Sequence, residues 1–361
     1  MTMKKRRILF AAAAVFLVAL LGAAICFGQI KHMTQLQASQ YVAEKWQGTG
    51  NTAFCQYSCF FPNSSGYDHN GVWKSRNSAA EYLLANSYSF EQLTNLFVDA
   101  WSGKISLTVS SERSRNVHVN ATAVGGEFFL FHPLRLLSGS FLSEGDYFAN
   151  RILISTDLAW QLFGGTDLEG QLVFVNDMPF SIAGVFEPQS DTASLKAQPE
   201  GYEAYVLYSA FADREDQKEN PPITCYELVM PEPVKGFTRT FIQKEFTQGN
   251  VETLQNTGRF ANSALYTAAR HREDAAIRTG IAELPPWENA ARYTAAKCSS
   301  LLQTAIWLLV LPAAGITALA VAAAAKGYAK VRDDLLPAAG EHIGRGVENI
   351  YSRRRKKNNN R

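Results

Sequence analysis

The chain has 361 residues, 47% of them hydrophobic, a formal net charge of +2, six histidines and five cysteines. No CxxC pair, HExxH frame or paired Cys/His spacing occurs, which excludes a redox motif and the usual zinc arrangements. No GxxxxGK[ST] loop is present to bind ATP, and Ser138-Gly139-Ser140 lacks the GxSxG frame of a nucleophile elbow. The expectation is a non-enzyme without a cofactor or metal.

Read from the start, Lys4, Lys5, Arg6 and Arg7 precede residues 8–30, a stretch of 23 residues without charge. At about 1.5 Å per residue this reaches some 34 Å, enough to cross a hydrocarbon core of roughly 30 Å. A cleaved signal peptide is the rival reading, but its apolar region is normally shorter. A lipoprotein reading of Cys26 meets Ile25 where a small residue is wanted. An uncleaved transmembrane anchor is therefore expected. Residues 301–325 form a second span, in a charge-free stretch bounded by Lys297 and Lys326, with Pro312 and Gly315 near its middle.

Charge sets the orientation. The two tails together carry about +10, and the segment between the spans about −8. By the positive-inside rule both termini are expected in the cytoplasm, with residues 31–297 outside the plasma membrane. The basic cluster 353–357 then reads as a topogenic, lipid-headgroup contact with the bilayer rather than a nucleic-acid site.

In the outer segment, residues 31–46 lack Pro and Gly and are expected to continue the first membrane helix as a stalk. Residues 54–61 read as a strand, 77–85 as a short helix and 104–109 as a second strand. Residues 136–187 carry the densest local signals. Gly139 and Gly145 punctuate a loop, residues 151–155 form a buried strand, and Ser155, Thr156 and Asp157 offer N-cap oxygens to a helix over 158–163 that stops at Gly164 and Gly165. The apolar runs 171–175 and 180–185 flank Asn176-Asp177, the chemistry of a hairpin turn. Residues 223–230 read as a further strand, 237–246 as an amphipathic helix, and a short strand is expected near Val251. Two strand-helix-strand units split by an insertion suggest an α+β fold. Its expected parts are a ferredoxin-like, porter-type lobe (50–118 and 220–265), an inserted β-rich lobe (119–215) and a juxtamembrane return (266–297). With tails 1–7 and 326–361 and spans 8–30 and 298–325, this is a protein with two transmembrane helices and one large extracytoplasmic domain.

Of the three outer cysteines, Cys55 and Cys59 lie four apart in one strand, too far to pair. Taking the first and third strands of a ferredoxin-like sheet as parallel neighbours puts Cys55 and Cys225 near matching strand starts. Cys55–Cys225 is thus the expected disulfide, with three unpaired buried thiols as the alternative. His69 beside Asp68 and His118 near Glu112 read as solvated loop residues. The matches at Asn63 and Asn120 to the glycosylation pattern carry no weight.

Gly139, Phe141 and Asp146, then a strand, then Leu158 to Gly164 with Phe163, Asp167, Gly170 and the Gly184-Val185 ending resemble the extracytoplasmic core domain of MacB-type ABC transporter permeases. In that light these residues are architectural, the glycines for backbone geometry and Phe141, Leu158, Phe163 and Val185 for packing. Trp287, Glu288, Asn289 and Arg292 resemble the juxtamembrane segment of MacB-like permeases from Gram-positive bacteria; an interfacial anchor is the plainer reading of Trp287 and Tyr293. The resemblance implies a separate cytoplasmic ABC ATPase and other permease subunits as partners, with residues 328–336 placed to touch the ATPase. Permeases of this type carry one span before the outer domain and three after it. The one-and-one pattern here is expected for a reduced subunit of an export or mechanotransmission complex. The alternative is a membrane-tethered sensor or scaffold that binds a peptide, lipid or envelope protein.

Overall fold

The computed structural model describes residues 3–112, 114–198, 200–212, 220–246, 250–268, 284–332, 340 and 342–347. The basic cluster 353–357, residues 269–283 of the juxtamembrane return and residues 333–336 of the expected ATPase-facing piece lie outside the described residues. Two compact units separate, one of residues 1–28 with 303–361 and one of residues 29–302.

In chain order the helices and strands begin with α1 (Met3–Gln35), α2 (Val42–Gln47), β1 (Phe54–Phe60), α3 (His69–Ala85), α4 (Leu93–Leu96), β2 (Val98–Ser111) and β3 (Ser114–Gly126). There follow α5 (Phe128–Phe131), β4 (Arg135–Gly139), β5 (Arg151–Ser155), α6 (Thr156–Phe163), β6 (Leu172–Val175), β7 (Met178–Glu187), α7 (Thr192–Ala197) and β8 (Tyr202–Leu207). The chain closes with β9 (Cys225–Pro231), α8 (Phe237–Glu245), β10 (Glu252–Gln255), α9 (Asn262–Ala268) and α10 (Pro286–Lys330).

Among the described residues two helices are long and apolar enough to cross a membrane, Phe10–Gln35 and Pro286–Ala329. Within the smaller unit they meet through small residues. Ala19 and Ala23 are buried, and a Cβ on Gly22 would lie 3.1 Å from Leu308 Cδ1. Small side chains let helix backbones approach closely where lipid supplies no hydrophobic drive. Pro312 sits inside α10.

The larger unit is built on one ten-stranded sheet, in the order β10-β1-β9-β2-β3-β8-β5-β7-β4, with β6 pairing both β2 and β7. The first four strands are antiparallel throughout, and with the connections through α3 and α8 they make the ferredoxin-like arrangement. One face of this half is the main core, where Cys55, Tyr57, Cys59 and Tyr226 pack with Leu83 of α3 and with Phe241 and Ile242 of α8. In the second half β3 pairs β8 in parallel and β5 pairs β7 in parallel. Residue 119, the expected start of the inserted lobe, falls within β3, which pairs β2 along nearly its whole length.

The disulfide expectation fails on this topology. A right-handed strand-helix-strand crossover makes its two strands parallel, so a strand that lies between them and runs antiparallel to one is antiparallel to both. β9 is such a strand. Cys55 lies opposite Met230 and Cys225 opposite Phe60, at the two ends of the β1–β9 ladder. All five cysteines are free and buried.

Three local expectations also change. The stalk is not one helix: α1 ends at Gln35, a single 3-10 turn covers Ala38–Gln40, and α2 follows. Gln37, Ser39 and Gln40 are buried where the helix breaks. α3 begins eight residues before the expected position because Asp68 caps it, its Oδ1 accepting from Gly71 N at 3.0 Å. Finally, β2 and β3 form a hairpin much longer than the strand expected at 104–109.

Candidate functional site

β1 presents Gln56, Ser58 and Phe60 to the face opposite the main core, because side chains alternate along a strand. β9 adds Cys225, Glu227 and Val229 to that face. Apolar patches frame it. Val42 and Ala43 of α2 pack with Val98, Ala100, Val229, Phe128 and Phe131, and Leu284 packs with Phe60 and Cys225. Between these patches runs a buried polar network.

Gln56 ties the stalk down. Its side-chain carbonyl accepts from Val42 N at 3.1 Å, and its amide donates to Ser39 O at 2.8 Å. Gln40 follows, its Oε1 accepting from Asn256 Nδ2 at 3.0 Å and from Arg259 Nη1 at 3.1 Å. Arg259 in turn grips Glu288 on the first turn of α10, at 2.7 Å to Oε2 and 2.9 Å to Oε1. Arg292, one turn further along, donates from Nε to Glu288 Oε1 at 2.7 Å and from Nη2 to Glu252 of β10. Glu288 is 1% exposed. Two guanidiniums offset the cost of burying its charge.

A second branch runs under the sheet centre. Ser58 Oγ lies 2.8 Å from Glu227 Oε1 and 3.0 Å from Asn256 Oδ1, and Glu227 Oε2 pairs with Nε2 of His132. The His132 ring packs 4.2 Å from the Trp287 ring and 4.6 Å from Phe128, centroid to centroid. Both segments that join the outer unit to the apolar helices, Gln37–Gln47 at one end and 284–292 at the other, are thus held to one sheet face.

Of the residues named from sequence, Trp287, Glu288, Asn289 and Arg292 come together here, with Asn289 buried and Glu288 and Arg292 inside the network. Arg259, Gln40, Gln56, Asn256, Glu227 and His132 are the partners that sequence reading missed. The signal was present in Gln56 and Ser58, polar residues alternating with apolar ones in a strand, and in Glu227 within an otherwise apolar run.

The motif residues lie elsewhere. Gly139 and Gly184 stand opposite each other in the β4–β7 ladder. A Cβ on Gly139 would lie 2.1 Å from Ala183 O, and one on Gly184 would lie 2.5 Å from Ser138 O. Gly164 takes φ 74° as the C-cap of α6 and Gly170 takes φ 79°. Leu158 and Val185 are fully buried, and Phe163 packs partly buried on the same core. Phe141 stacks on Phe129 with centroids 4.7 Å apart. Asp146 accepts from Arg151 Nη1 at 2.7 Å, and Asp167 is exposed. Cys55 lies in the main core and Cys225 in the apolar patch beside the network; burial pushes the Cys55 thiol up to about 12.

Residues 8–233 match the MacB-like periplasmic core domain family. Among solved structures, the chain is similar to the periplasmic region of MacB from Actinobacillus actinomycetemcomitans, at 14% identity over 66% of this chain and 99% of that one, with a TM-score of 0.39. It is similar also to the extracellular domain of the noncanonic ABC-type transporter YknZ from Gram-positive bacteria, at 15% identity over 55% of this chain and 99% of that one, with a TM-score of 0.35. No curated protein matches the chain in sequence.

Proposed function

Since the chain belongs to the MacB-like periplasmic core domain family, a component of the ABC-transporter permease type, we propose that it works as a membrane subunit of an export or mechanotransmission complex driven by a separate ABC ATPase. Residues 31–297 act outside the plasma membrane in this reading, and both termini lie in the cytoplasm. ATP hydrolysis by the partner shifts the membrane helices, and the outer unit moves with them.

The observation that supports this reading is the convergence of Gln40, Arg259, Glu288 and Arg292. Buried charges held by several fixed partners transmit displacement rather than absorbing it, because every alternative arrangement leaves a charge unpaired in a dry site. A tether that only anchored the domain would not need them. The rival reading, a tethered sensor or scaffold, predicts the same fold with no ATPase in the complex.

The test is a mild-detergent purification of the intact protein from its native membrane, with co-purifying chains identified by mass spectrometry. A stoichiometric ABC ATPase that is lost on deletion from Lys326 onward is the expected result. Recovery of the protein alone or with an envelope protein, or equal ATPase recovery with and without the tail, would overturn it.

A further inference from the structure

A cavity of about 310 Å³ lies within the larger unit beside the polar network, with Ser39 and His132 of that network in its wall. Its floor is the sheet face across β2, β3 and β8. Register places Lys104, Thr122 and Tyr205 in one row, and Ser106, Asn120 and Glu203 in the next. The intervening residues Ala121 and Ala204 point the other way, into the main core. Leu134, Phe186 and Trp287 give the walls an apolar and aromatic surface. The Lys196 ammonium lies 4.8 Å from the Tyr293 ring centroid, which holds α7 against α10 beside the cavity.

Glu203 is the unusual member of this floor. It is half-buried, and a carboxylate that faces a cavity usually has a cation or donors to match it. Among the described residues its carboxyl has neither a hydrogen bond nor an ion pair, whereas Asn120 donates to Glu200 O at 2.8 Å and Lys104 is engaged with a partner of its own. Burial raises the Glu203 pKa, and the nearby charge of Asp157 raises it further. A cavity of this size sits at the small end of ligand sites, and apolar walls with a few placed polar groups, here Lys104 and Glu203 on the floor, are what such sites use to fix orientation.

We propose that this cavity binds a small amphiphilic amine, with the ammonium paired to Glu203 and the apolar body lying against Leu134, Phe186 and Trp287. The missing partner of Glu203 is then supplied by the ligand. With Lys104 engaged by a partner of its own, Glu203 is the charge left for a ligand to match, and a neutral molecule leaves that carboxylate unmatched. The wall residue Trp287 precedes Glu288, so an occupant touches the first turn of α10. This inference rests on the cavity alone and stands whether or not an ATPase partner exists.

The experiment uses the full chain in phosphatidylcholine nanodiscs, titrated calorimetrically with phenethylamine and with its neutral isostere phenethyl alcohol, against empty nanodiscs. Phenethylamine is expected to bind saturably and at least tenfold more tightly than the alcohol. Glu203→Gln removes that preference and leaves the alcohol unchanged, while Leu134→Trp, which fills the cavity, abolishes both. An undiminished melting temperature of Glu203→Gln shows that the variant is folded. Equal binding of amine and alcohol, an unaltered amine affinity in Glu203→Gln, or no saturable binding to the wild type would each overturn the proposal.

Discussion

Replacing Glu288 by Gln keeps the shape of the side chain and removes its charge from between two arginines. Three short contacts reach the carboxylate, at 2.7 and 2.9 Å from Arg259 and 2.7 Å from Arg292, and the group is 1% exposed. Breaking a buried ion pair by removing one partner costs about 3–5 kcal/mol, because the remaining charge stays buried. Arg292 keeps Glu252, whose side chain is 36% exposed, while Arg259 keeps, among the described residues, the neutral acceptor of Gln40. The expected loss is therefore at the lower end, about 3 kcal/mol, roughly a hundredfold in the folding equilibrium. The assay is urea unfolding of the intact protein in nanodiscs, followed by tryptophan emission, with Glu169→Gln as an exposed control. A double-mutant cycle with Arg259→Met should return a coupling of about 2 kcal/mol, within the range for residues of one network. A loss below about 1 kcal/mol, or additivity of the two changes, would show that the network is not what holds α10 to the sheet.

Three further outcomes follow from the structure. Gly184→Ala should prevent the β4–β7 pairing, because the new Cβ meets the Ser138 carbonyl oxygen at 2.5 Å and neither backbone can move away; loss of trypsin resistance in the folded fraction is the readout, and wild-type resistance would contradict it. Alkylation without reductant after denaturation should add five groups per chain, while Cys55, Cys59 and Cys225 should stay unmodified in the native protein at pH 8; three additions after denaturation would reveal a disulfide. The Glu203 carboxyl has a folded pKa above its unfolded value, so its contribution to stability is fully present below the unfolded pKa, about 4.3, and is lost as pH rises through the folded one. Glu203→Gln should therefore be more stable than wild type at neutral pH and lose that advantage near pH 4, as melting at both values would show.

Local chemistry carried the elements whose signals lie within a few residues. Ser155, whose Oγ accepts from Leu158 N, and Gly164 in the left-handed region bound α6 as the sequence predicts. Asn176 and Asp177, with φ of 47° and 65°, make the expected turn between β6 and β7. The long β2–β3 hairpin was not legible, because residues 110–122 are rich in Ser, Arg and Asn and their inward positions, Val117, Val119 and Ala121, are spaced within a polar run. The polar network was half visible. Its α10 residues were singled out by resemblance, but Gln40 and Arg259 are ordinary surface residues until the fold brings them within 3.1 Å of each other. The false disulfide came from a strand direction, and direction is a property of the whole topology that two cysteines cannot report.

The sheet order has a consequence for the nascent chain. The neighbours of β1 are β9 and β10, and Ser58 meets Glu227 across 169 residues of sequence. At roughly 5–20 residues per second of synthesis, β1 waits on the order of 10–30 s before either edge can pair. During that interval the segment Phe54–Phe60, with two phenylalanines, a tyrosine and two cysteines, is an unprotected strand with both edges open. Until residue 255 has been synthesised, β1 can therefore pair on at most one of its two edges.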